Sequence, residues 1–153
     1  MMGKIDVMDM KILTELIKDS SLSIPKLSKK IDANPSVVYS RIKRLIKRDI
    51  IKTFTIVVNE ELLGYTVTAI IGTEIDARQR ETIINELLTI KEVRNVSEVT
   101  GRFDLLILIK TKSMDELYNI ISENIGKISG ILHTETFIEM NKRIKEPIYS
   151  VQR

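Results

Sequence analysis

The residues best suited to chemistry in this chain lie close together. Pro35, Ser36, Tyr39, Ser40, Arg41, Lys43, Arg44 and Lys47 fall in one short stretch. At helical spacing Ser36, Ser40, Lys43, Arg44 and Lys47 share a side, with Tyr39 at its border. Small polar residues at a helix start let the backbone approach base edges, and long cations further along reach phosphates. That is the chemistry of a DNA major-groove reader. A charge run is also what a solvated helix face looks like, so the setting has to decide.

The charge distribution is part of that setting. The 153 residues carry 24 Lys+Arg and 21 Asp+Glu, a net charge of +3. Residues 1–52 hold 12 basic and 6 acidic residues, a net of +6, which leaves −3 for the rest. A basic head on an acidic body points to a polyanionic partner.

Other chemistries are poorly supplied. The chain has no cysteine and one histidine, His133. Disulfides, thiol catalysis, Cys-ligated zinc and multi-His metal sites are therefore excluded, and no metal or catalytic residue is assigned. No phosphate-cradling Gly-rich loop is present, and no nucleophile with a base can be assembled. Asp104 with Glu98 or Glu135 offers only a carboxylate pair, a thin basis for an enzyme. His133 reads as a hydrogen-bonded strand residue. Residues 1–11 lack an apolar signal core, and the longest aliphatic run, Leu105–Ile109, is far too short to span a bilayer. A cytoplasmic protein without membrane contact is expected.

Stepping outward, three helices must position the basic cluster. The first spans about 6–18, with Asp6 as cap and Met10, Leu13, Leu16 and Ile17 as its apolar stripe. The second is short, 24–30, with Ser23 before it and Pro25 in its first turn. The turn 31–34 leads to the third, from Pro35 to about Arg48, capped by Asn34. Val38, Ile42 and Leu45 form its buried stripe, about 60° wide. Helix, short helix, tight turn and longer basic helix make a helix-turn-helix. Residues 50–58 are β-branched and aromatic and predict a strand, which makes the unit winged.

The expected division is 1–58 for the winged helix-turn-helix, 59–65 for a linker closed by Gly64, 66–142 for a second domain and 143–153 for a tail. The second domain alternates. Strands are expected at 66–75, 93–100, 104–110 and 131–140, and helices at 78–89 and 113–125. This βαββαβ order is the ferredoxin-like plan, so the fold class is α+β. Two helices leave one sheet face bare, which predicts a two-fold homodimer through sheet packing.

These stretches bring the chain close to a known family. Asp9-Met10-Lys11-Ile12-Leu13 with Leu16 and Asp19, the run from Asn34 to Leu45, Leu62-Leu63-Gly64, Thr100-Gly101-Arg102-Phe103-Asp104 and Lys142 resemble in order and spacing the Lrp/AsnC (leucine-responsive, feast/famine) regulators. The resemblance covers about 5–147. Asp49 stands where the family usually has Gly after the recognition helix, and Asp tolerates the left-handed conformation needed there.

The resemblance implies a transcription regulator that binds double-stranded DNA as a dimer, often assembled into octamers. It also implies a small effector, commonly an amino acid, bound between dimers. By the same likeness Gly101, Phe103 and Asp104 would line the effector site, with Thr134 and Thr136 as neighbours. Gly101 would let backbone N–H groups approach a ligand carboxylate, and Asp104 would face its ammonium. Gly101 and Asp104 would equally make a good hairpin turn. An architectural protein that coats DNA without an effector is the principal alternative, and a stand-alone sensor fits the basic third helix poorly.

Overall fold

In the computed structural model, which describes residues 5–145 and 147, Asp6 opens helix α1 (Val7–Lys18). Its carboxylate accepts the Asp9 N–H at 2.9 Å, and Asp9 returns the favour to the Asp6 N–H at 3.1 Å. The reciprocal pair satisfies donors that the first helical turn leaves orphaned. Helix α2 (Ile24–Ile31) ends at Asp32, which takes a left-handed conformation with φ of 54°. Helix α3 (Pro35–Lys47) starts under Asn34, whose side chain accepts from the Ser36 N–H at 2.8 Å. Asp49 has φ of 57°, the conformation expected of it.

Ile12, Leu16, Leu27, Ile31, Val38, Ile42 and Leu45 form the core of this unit. The buried line of α1 is Asp9, Ile12 and Leu16. It is therefore rotated from the predicted stripe, since Ile17 is exposed and Met10 and Leu13 are half-buried. An acidic residue belongs to the buried face, which a purely apolar count overlooks.

Among the described residues, the predicted strand over 50–58 finds no partner. Ile50 and Ile51 turn back onto α3, both N–H groups donating to the Leu45 carbonyl. Beyond them Phe54, Ile56, Val57 and Val58 are exposed. β-propensity favours extended backbone, but a strand needs a neighbour to share its ladder. An apolar groove of about 600 Å³ lies beside this segment, lined by Met10, Leu13, Ile17, Ile51 and Phe54 among others.

The second unit comprises residues 59–142. It opens on a single 3-10 turn, Glu60–Leu63, capped by Asn59 and closed by Gly64 at φ of 91°. The strands are β1 (Val67–Ile75), β2 (Val93–Glu98), β3 (Leu105–Thr111) and β4 (Ile131–Ile138). They form one antiparallel sheet in the order β2-β3-β1-β4. Helices α4 (Arg80–Thr89) and α5 (Met114–Asn119) cover one face. There Ile83, Leu87 and Leu117 pack on Ala69, Ile71, Leu105, Ile107 and Ile109. The single long helix predicted to 125 is divided, since α5 passes into a π turn at Ile120–Asn124 and a 3-10 turn at Ile125–Lys127. Of the tail, residues 146 and 148–153 lie outside the described residues.

Among the described residues of this unit, no helix packs on the opposite sheet face. By register it presents Thr68, Ile70, Gly72 and Glu74 of β1, Leu106, Leu108 and Lys110 of β3, and His133, Glu135 and Phe137 of β4.

Candidate nucleic-acid interface and effector turn

Two environments divide α3. Pro35, Ser36, Tyr39, Ser40, Lys43 and Lys47 are exposed on its outer side. Lys43 Nζ lies 4.6 Å from the centre of the Tyr39 ring, one turn away. The Ser40 hydroxyl donates to the Val37 carbonyl at 3.0 Å, which ties it to its own helix. Among these side chains Lys43 and Lys47 are the cations, and neither is paired with a carboxylate among the described residues.

Arg41 and Arg44 are different. They were expected beside the lysines on phosphate, but their guanidiniums turn to α1. Arg41 Nη1 donates to Asp6 Oδ2 at 2.6 Å and to Asp9 Oδ1 at 3.0 Å. Arg44 Nη2 donates to both Asp9 oxygens, at 2.9 and 2.7 Å. The Asp9 side chain is wholly buried, whereas that of Arg44 is 45% exposed. A buried carboxylate without partners would be very costly, so these bonds are a condition of Asp9's position. The Arg41 hydrogen bond, followed by the Asp9 N–H, holds the Asp6 carboxyl below its ordinary range. Asp6 in turn raises Arg41. The carboxylates of α1 thus fasten α3 in place. Their signal in the sequence was an acid at Asp9 in helical register with Ile12 and Leu16.

In the second unit, the turn at 101–104 sits at one end of β3. Gly101 has φ of 129°, and a side chain there would meet nothing within 4 Å. The Phe103 ring lies over Gly72, where an added Cβ would come within 2.5 Å of it. Phe103 also meets Phe137 edge-on, ring centres 6.1 Å apart. Asp104 is committed to the fold, since its Oδ2 accepts from the Ile75 N–H at 2.9 Å and its N–H donates to the Thr73 carbonyl at 3.0 Å. Ile75 adjoins the irregularity where β1 and β4 slip register, so this bond satisfies a donor the ladder leaves open.

Thr134 and Thr136 do not join that turn's face. They register with Thr73 and Ile71 on the helix side of the sheet. The β4 residue that approaches the turn on the open side is Glu135, which pairs with Arg102 and stands 3.9 Å from His133 Nε2. Arg102 also lies over the Phe103 ring at 5.4 Å. Nothing in the sequence alone links Arg102 to Glu135, since 33 residues of chain separate them and only the sheet brings them together.

Known proteins agree with both halves. A profile described as winged helix-turn-helix DNA-binding matches residues 5–52, and one described as Lrp/AsnC ligand binding domain matches residues 68–149. The HTH-type transcriptional regulator FL11 of Pyrococcus furiosus is 36% identical over 138 residues, 90% of this chain and 91% of its own. The chain belongs to the Lrp/AsnC family. The structure of E. coli AsnC superimposes with a TM-score of 0.88 at 27% identity, covering 95% of this chain and 98% of that one. A Neisseria meningitidis transcriptional regulator, solved as a complex with L-Met, has the same fold, with a TM-score of 0.90 at 19% identity over 96% and 97% of the two chains.

The chain is accordingly a helix-turn-helix transcriptional regulator with a ligand-binding domain, and its work is regulation, not catalysis. No helix among the described residues is long and apolar enough to cross a membrane.

Proposed function

We propose that this Lrp/AsnC regulator reads DNA with the outer face of α3. Ser36, Tyr39 and Ser40 meet base edges, with Pro35 at the helix entrance, while Lys43 and Lys47 hold phosphates. The observation that carries this reading is the division of α3 into an outer side whose two lysines have no carboxylate partner among the described residues and an inner side whose arginines are tied to Asp6 and Asp9. Two such helices in a homodimer would enter major grooves about one helical turn apart. The bare sheet face, with Ile70, Leu106, Leu108 and Phe137, supports dimerisation through that face.

The test is a salt titration of DNA affinity with Lys43→Ala and Lys47→Ala. Each phosphate contact contributes about 0.9 to the slope of log affinity against log salt, so each variant should flatten it by about that amount. An unchanged slope in both would remove α3 from the interface.

The effector is proposed to be an amino acid, the class represented by the L-Met of the Neisseria regulator. It would sit near the turn at 101–104, where the space around Gly101 is open to a distance of 4 Å from an added Cβ. Asp104 and Phe103 would shape this site through the bonds that hold the turn, and Arg102 and Glu135 supply its charge. A thermal-shift screen against the amino acids tests the assignment, since a ligand held by the folded state raises its melting temperature. A flat screen would favour the effector-free architectural reading. Assembly beyond the dimer, to an octamer, would follow if the effector bridges dimers.

A further inference from the structure

Four cations lie between Arg41 and Lys47 on α3, and the two arginines are both held by one buried carboxylate. We propose that Asp9 is a positioning residue that sets how many positive charges the recognition helix offers to DNA, and thereby its discrimination between operator and random sequence.

The physical argument begins with nonspecific binding, which is almost wholly phosphate neutralisation and counterion release. Every free arginine on the DNA-facing helix raises affinity for all sequences alike. Specificity is the ratio between operator and random affinity, so surplus cations erode it. Arg41 and Arg44 stand within a turn of Lys43 and Lys47, on the helix that would meet the backbone. Arg44 is 45% exposed at its side chain, and among the described residues its hydrogen bonds to side chains are the two to Asp9, which hold the guanidinium inward. Arg41 is bound more deeply, between Asp6 and Asp9. An uncharged side chain at position 9 would leave Arg44 with no carboxylate partner among the described residues, and Arg41 with Asp6 alone. Asp9 thus acts on DNA without touching it. It also leaves base readout to Ser36, Tyr39 and Ser40.

This inference rests on α3 being the DNA-reading helix, and the experiment separates the two claims. The full-length chain is titrated with a random-sequence duplex from 50 to 200 mM salt, alongside Asp9→Asn, Arg44→Gln and Lys43→Ala. Asp9→Asn should bind the duplex about tenfold more tightly at low salt, with a slope steeper by about 0.9, the one cation released being Arg44 while Arg41 stays on Asp6. Loss of a merely structural contact would weaken binding, so a gain is not explained by damage. Arg44→Gln should leave the slope unchanged, because Arg44 is not on phosphate, and this arm stands even if Asp9→Asn fails to fold. A slope reduced by about 0.9 in Arg44→Gln would overturn the inference. So would a folded Asp9→Asn with unaltered or flatter salt dependence. If Lys43→Ala also changes nothing, the failure lies with α3 as the reader.

Discussion

At the scale of single residues, several ionised groups on this chain are engaged in holding elements together. Asp6 is held low by Arg41, and Glu60 is held low first by Lys110 and then by Arg94. Both carboxyls have folded pKa values depressed below their unfolded ones. Their contribution to stability is therefore complete above the ordinary carboxyl range and is lost as the pH falls through the folded values. Unfolding midpoints should be flat above about pH 5 and should drop below about pH 4. Glu60→Gln should lower stability at neutral pH and shrink that acid-dependent loss, and an undiminished acid loss would refute the assignment. Gly72 is a different kind of constraint. An added Cβ would stand 2.5 Å from the Phe103 ring, so the ring must move. Gly72→Ala should cost about 1–3 kcal/mol, as overpacking does, and should alter the turn that Phe103 anchors. Urea unfolding followed on the second unit measures it.

Among elements, the helix-turn-helix is held together by its ends as much as by its core. Asn34 accepts the Ser36 N–H at the entrance of α3, where Pro35 has no N–H to give. Asn34→Ala should remove about 1 kcal/mol of stability, the usual worth of such a cap, as read from thermal or urea unfolding. Most of these elements were legible in the sequence, because apolar spacing reports which face a helix buries and caps mark where it begins. The central place of β3 was legible in its unbroken aliphatic run, Leu105–Ile109. Periodicity could not reveal which polar residues were spent inside the fold. Arg41 and Arg44 look like phosphate ligands until Asp9 is seen beneath them, and that contact spans more than thirty residues of chain. Asp104 similarly looked like a ligand carboxylate, whereas its partner is the Ile75 N–H on another strand. The segment 50–58 shows the converse: its composition expresses a preference for extension, but among the described residues no strand stands beside it to share a ladder.

For the whole molecule, the open sheet face is the feature that a single chain leaves unfinished. Ile70 and Leu108 are directly paired across β1 and β3, and Ile70 is paired with Phe137 on the other side. Leu106 faces Gly72 beside them, so apolar groups line the middle of the sheet. Two such faces packed together would bury this surface and place two copies of α3 in one particle. A lysine at the centre would have to be buried against its own two-fold mate, where like charges in a dry interface are strongly unfavourable. Leu108→Lys should therefore sediment at the monomer mass while each unit keeps its own fold by circular dichroism. Joining two DNA-binding units in one particle raises affinity through effective concentration, commonly by a hundredfold or more. The monomeric variant should thus lose about two orders of magnitude in affinity for a two-half-site duplex and little for a single half-site. A dimer mass retained by Leu108→Lys would show that the copies meet elsewhere. Monomers with undiminished affinity for the paired site would show instead that one α3 at a time engages DNA.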